Sequence, residues 1–118
     1  MPSSEDYTLV WAGLYRRLAG HTLDDDRVES PLERRAHKAG LQTWLDSFEV
    51  DPVQGDIPCL LIGRQIALLG YKEGQTRFAV GGTRLTSLLR TTAMKLRSIG
   101  IHASPRVHIL VHIEDSDC

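Results

Sequence analysis

The apolar pattern of this 118-residue chain changes from helical to extended spacing past Asp51-Pro52, and that change sets the expected fold. Upstream of it, apolar residues recur at three- and four-residue spacing; downstream they come in short runs punctuated by glycine. Tyr7, Val10, Trp11, Leu14 and Leu18 predict a first helix, with Ser3 or Ser4 to cap it and Gly20 to end it. Residues 21–29, with Asp24-Asp25-Asp26 and no apolar periodicity, read as a loop. Ser30-Pro31-Leu32-Glu33 predicts a second helix start. Serine caps, proline stands where its missing N–H costs nothing, and Glu33 returns the capping-box bond. The apolar residues of this helix then change face. Leu32, Ala36 and Ala39 form one stripe, while Leu41, Trp44, Leu45 and Phe48 form another about half a turn away, so a kink or short turn is expected at Gly40.

Past Asp51-Pro52 the pattern turns extended. Runs at 57–62 and 65–71 flank Gly63-Arg64, and glycine first in a two-residue loop is a type II′ hairpin signal. A turn at 72–75 leads to a third strand at 76–80, Gly81-Gly82-Thr83 opens a helix running to about Ile99, and a last strand covers 106–114. The expected fold class is α+β: an N-terminal helical pair followed by a β-β-β-α-β segment. The sheet would be mostly antiparallel, with one long amphipathic helix packed on it. The length fits a single domain over 1–118, with an acidic helical part (1–50) and a basic part (57–114).

Charge is sorted along the same division. Residues 57–113 carry eight basic side chains against Glu73 alone, whereas residues 1–56 carry six basic and eleven acidic groups and the last five residues add three more acids. A near-neutral total of −1 therefore conceals a basic segment between two acidic ones, the pattern expected of a chain with an anionic partner. The bias to arginine, eleven against three lysines, suits phosphate or carboxylate recognition, though codon usage produces the same bias. No apolar run approaches the roughly 18–20 residues of a membrane span, and the N-terminus is acidic rather than leader-like. Cys59, in an apolar run, and the terminal Cys118 make no disulfide framework, so a cytoplasmic, reducing location is expected.

The helix from Thr83 to Ile99 carries the best candidate site. Leu85, Leu88, Leu89, Ala93, Leu96 and Ile99 form its packing face; the other face presents Arg84, Ser87, Arg90, Thr91, Met94, Lys95, Arg97 and Ser98, with no acid anywhere. Solvated helices usually mix signs, so a wholly positive polar face is uncommon. Arg77, Arg84, Arg90, Lys95 and Arg97 are the candidate phosphate- or partner-binding residues. The glycine-bearing junction Gly81-Gly82-Thr83 is a candidate anion site at a helix start. The bland counterpart is a basic face neutralised internally by Asp24–Asp26.

Other chemistries find less support. His108, Leu110, His112 and Glu114 share one face of the last strand, but the two histidines stand about 13 Å apart at about 3.3 Å per residue, too far for one zinc. No metal and no cofactor is expected. No Gly-x-Ser-x-Gly elbow and no Gly-x4-Gly-Lys loop is present. The predicted element order resembles the core of the acetyl-CoA-dependent N-acetyltransferases, yet Arg77-Phe-Ala-Val-Gly81-Gly82 departs from their Arg/Gln-x-x-Gly-x-Gly/Ala loop. It also resembles the restriction-endonuclease-like order, but the predicted second and third strands hold no carboxylate to bind a metal. Three strands before a helix resemble the double-stranded-RNA-binding domain, with Thr83-Arg84 where its lysine cluster would stand. The expectation is a small non-catalytic binding protein that engages nucleic acid or a nucleoprotein through its basic helix. An adaptor or inhibitor docking an acidic protein surface, such as a phage or mobile-element accessory factor, is the alternative, and a small acyltransferase the second. A homodimer stays open, and no membrane partner is expected.

Overall fold

The computed structural model describes residues 6–17, 30–51, 55–70 and 76–112. The elements run β1 (Tyr7–Arg17), α1 (Pro31–Lys38), β2 (Gln42–Asp51), β3 (Gly55–Gly70), α2 (Gly82–Ser98) and β4 (Arg106–His112). The four strands form one sheet in the order β2-β3-β1-β4, with every neighbouring pair antiparallel. This β-α-β-β-α-β order is the ferredoxin-like, split β-α-β topology. It is a fold that by itself implies no function.

The expected N-terminal helical pair is therefore incorrect. Tyr7–Arg17 is a strand, paired with β3 on one side and β4 on the other. Leu9, Val10, Trp11, Ala12 and Leu14 are all buried, because the strand is covered on both faces. A doubly buried strand loses its period of two and becomes a continuous apolar run, which helical spacing fits equally well. The second predicted helix does break at Gly40, but the chain beyond that glycine forms β2 rather than more helix.

The strand count downstream is also corrected. Gly63-Arg64 lies inside β3, and 76–80 is not a strand, so the β-β-β-α-β segment is not formed; the predicted turn at 72–75 lies outside the described residues. Gly63 stands opposite Gly13 of β1. A Cβ on Gly63 would run into the Ala12 carbonyl oxygen, and one on Gly13 into that of Ile62. The glycine that resembles a turn residue serves close backbone approach in a strand instead. A bulge interrupts the same ladder: Val10 pairs with Ala67 and Trp11 with Gln65, leaving Ile66 without a partner in β1. The likenesses to acetyltransferase and double-stranded-RNA-binding orders rest on an element order that the chain does not adopt.

Both helices lie on one side of the sheet. Between them and the sheet sit Leu14, Ala36, Leu41, Leu60, Ile62, Leu96 and Ile101. Leu9, Trp11 and Leu61 form a second cluster on the opposite face, flanked by Tyr7, Tyr15, Leu68 and Leu110.

The helices end alike. In α1, Gly40 (φ 83°) and Leu41 donate their N–H groups to His37 and Ala36; in α2, Gly100 (φ 88°) and Ile101 donate to Arg97 and Leu96. These are Schellman endings, and each drops the residue after its glycine into the core. Gly63→Ala is expected to cost at least about 3 kcal/mol, because the backbones of β1 and β3 must separate. Gly82→Ala, where an added Cβ meets none of the described residues within 4 Å, should change stability by less than about 1 kcal/mol. Chemical denaturation of the two variants checks both.

Candidate anion-binding face of the helical layer

α1 begins with the capping box expected from its sequence. Ser30 Oγ accepts from the Glu33 N–H at 3.2 Å, while Glu33 Oε1 accepts from the Ser30 N–H at 3.2 Å and from its hydroxyl at 3.1 Å. Glu33 is only 6% exposed. The single acid in either helix is thus folded into its own cap, while Arg34, Arg35, His37 and Lys38 are exposed. The His37 ring bonds the Thr43 hydroxyl through Nε2 at 2.8 Å.

α2 begins at the Gly81 N-cap, which supplies no side-chain cap, and carries no acid in its first turn. Its buried side contains Thr92 and Leu96, with the Thr92 hydroxyl donating to the Leu88 carbonyl at 2.7 Å. At 3.6 residues per turn, Arg90 and Arg97 fall within about 20° of each other and point away from the sheet. Met94, 64% exposed, lies between them. Arg84 and Lys95 form a separate stripe on the flank toward α1. Arg84, Arg90 and Arg97 are exposed, and none has an ion pair among the described residues.

Lys95 differs. It is half-buried, with its ammonium 3.3 Å from where a Cβ on Gly40 would stand, beside the C-terminus of α1. A cation there faces the negative end of the helix dipole. The C-termini of the two helices approach each other across a groove lined by Arg35, Lys38, Ala39, Ser98, Ile99 and Gly100. Part of the positive charge of this layer therefore serves the helix ends.

The remaining predicted residues separate. Arg77 is exposed in an irregular segment and already has a partner within the chain. Gly81, Gly82 and Thr83 are exposed at the start of α2, where Gly82, Thr83, Thr86, Ser87 and Arg90 line a groove. Neither glycine has positive φ, and among the described residues neither has a neighbour that would exclude a side chain. Asp24–Asp26, the expected internal counter-charge, lie outside the described residues.

Arg34, Arg35 and Lys38 are the residues that sequence reasoning misses, because net charge over 1–56 assigns them to an acidic half. Apart from Asp6 and the capping Glu33, the described acids of that half lie on strands. Asp46, Glu49, Asp51 and Asp56 fall on β2 and β3, the last three where these strands run past the end of β1 as a two-stranded extension. A window as short as α1 itself, Pro-Leu-Glu-Arg-Arg-Ala-His-Lys, holds the missing signal.

The opposite sheet face gathers aromatic and imidazole rings. Tyr7 stacks on His112 with centroids 4.6 Å apart, and Tyr15 meets His108 edge-on at 5.0 Å. His108 Nε2 lies 3.0 Å from the Gly13 carbonyl, so that nitrogen carries the proton. The face shared by His108, Leu110 and His112 is as expected, while Glu114 lies outside the described residues. Trp11 is 2% exposed, and its indole N–H has no acceptor among the described residues. Among the described residues no group of three or more His, Cys, Asp or Glu side chains could hold a metal, and no helix is long and apolar enough to cross a membrane.

Comparison with known families, characterised proteins and solved structures produced no match. Lys95→Glu is expected to lower stability by about 0.5–1 kcal/mol by placing an anion at the end of α1, whereas Arg90→Glu should leave it within about 0.5 kcal/mol. Thermal and urea unfolding of the two variants separates the structural cation from the solvent-facing one.

Proposed function

We propose that the protein is a non-catalytic binding module that engages nucleic acid, or a nucleoprotein, through the outer face of its two helices. One observation carries the reading. Two neighbouring helices present the exposed Arg34, Arg35, Lys38, Arg84, Arg90 and Arg97, and their only acid is buried in a cap. Arginine and lysine in this arrangement contact phosphate oxygens and position a nucleic acid without reading its sequence. A duplex fits better than a single strand. Stacking platforms need several free aromatic faces, while Trp11 is buried, Tyr7 and Tyr15 already pair with histidines, and Trp44, 36% exposed, is a single ring.

A second reading, docking on an acidic protein surface, is favoured by Met94. Its exposed apolar side chain between Arg90 and Arg97 supplies the kind of anchor that a phosphate backbone would not use.

Fluorescence anisotropy against DNA and RNA duplexes and single strands tests the first reading. Four to six neutralised phosphates predict an affinity loss of about 10²- to 10³-fold between about 50 and about 200 mM salt. Arg90→Glu with Arg97→Glu should abolish binding. Arg34→Glu with Arg35→Glu should weaken it as well, because α1 shares the face. Absence of binding at low salt overturns the nucleic-acid reading and leaves the acidic protein surface.

A further inference from the structure

The outer edge of β4 is the other feature that a packed fold leaves unexplained. β4 ends the sheet, so one side of its backbone has no strand partner among the described elements. Val107, Ile109 and Val111 point to the helical side, opposite Ala12, Val10 and Thr8 of β1, but α2 packs mainly on β1 and β3. Ile109 is 68% and Val111 63% exposed, and Val107 is exposed beside them. Edge strands are usually protected by charges, proline or a covering element. β2, the other edge, carries Asp46, Glu49 and Asp51 along its length, whereas β4 has one formal charge, Arg106, at its first residue.

The order of residues in β4 says what suits this edge. Its outward β-branched positions, Val107, Ile109 and Val111, are symmetric about Ile109. Laid antiparallel on itself with Ile109 at the centre, the strand places Ile109 opposite Ile109 and each Val107 opposite a Val111. Side chains directly opposite in such a pair share a face and lie about 4.5–5.5 Å apart at Cβ, close enough to shield one another from water. The same register puts the two Arg106 residues at opposite ends and avoids a like-charge pair. A two-fold axis through Ile109 uses each edge once and closes the assembly.

We propose that β4 pairs with β4 of a second copy about this axis, forming a homodimer with one continuous sheet. The axis stands perpendicular to the sheet, so both helical layers lie on the same side. The dimer does not depend on the nucleic-acid reading; if that reading holds, the dimer places two copies of the basic face side by side.

Sedimentation of the full chain over a concentration series should show a mass rising from 13.2 kDa toward twice that value. Ile109→Asp should abolish the rise, while Met94→Asp, at an equally exposed apolar residue on α2, should keep it. In a Cys118→Ser background, Ile109→Cys should link two copies by a disulfide under mild oxidation, because the axis brings identical residues together. Val107→Cys should not, since its neighbour across the axis is Val111. A wild-type chain that stays monomeric throughout overturns the proposal, even if β4 accepts a strand from another protein. Retention of the dimer by Ile109→Asp, or equal linking through Val107→Cys, overturns it too. The cysteine pair keeps the test decisive should the aspartate variant fail to fold.

Discussion

The close approach of β1 and β3 at Gly13 and Gly63 is the contact on which the rest of the molecule depends. With no side chain on either residue, the two central strands come together where a Cβ would strike the opposing backbone. Leu60, Leu61 and Ile62 lead into that crossing and are fully buried, filling both faces of the sheet at once. The helices then need only an apolar stripe each, and the Schellman endings fix where those stripes stop. Ala36 and Leu41 in one half, and Leu96 and Ile101 in the other, occupy matching places in the same core.

The features legible in the chain are those whose signals are local. The capping box at Ser30 and Glu33, the interruption at Gly40, the stop at Gly100, the helix beginning near Gly82 and the strand beginning at Arg106 all depend on neighbours within a few residues, and all appear in the structure. β1 resembles a helix in sequence because its burial on two faces comes from β3, β4 and α2, none of which is near it along the chain. Gly63 resembles a turn residue because the need for it arises from Ala12 on another strand. Trp44 and Leu45 mislead for the same reason: one faces away from the helices and the other toward them, so both are apolar without forming a helical stripe.

Charge illustrates the difference between order along the chain and position in space. Summed over halves, the sequence divides into an acidic and a basic part. Folded, the basic residues of α1 join those of α2, while several acids of the first half fall on the β2–β3 extension. Of the five residues singled out from sequence, Arg84, Arg90 and Arg97 remain solvent-facing, Lys95 attends a helix end, and Arg77 is already engaged.

The central place of β1 has a consequence for synthesis on the ribosome. The strand is made first, yet Tyr15 waits for Leu61 and Tyr7 for His112, so neither of its neighbours exists when it emerges. Pairings this distant along the chain form slowly. Until β3 arrives, Tyr-Thr-Leu-Val-Trp-Ala-Gly-Leu-Tyr is an unpaired apolar strand of high β-propensity with no charge within it. Such a segment associates readily with its like in a nascent or stalled chain. The residue run that organises the native sheet is therefore also the one that a chaperone would have most reason to hold.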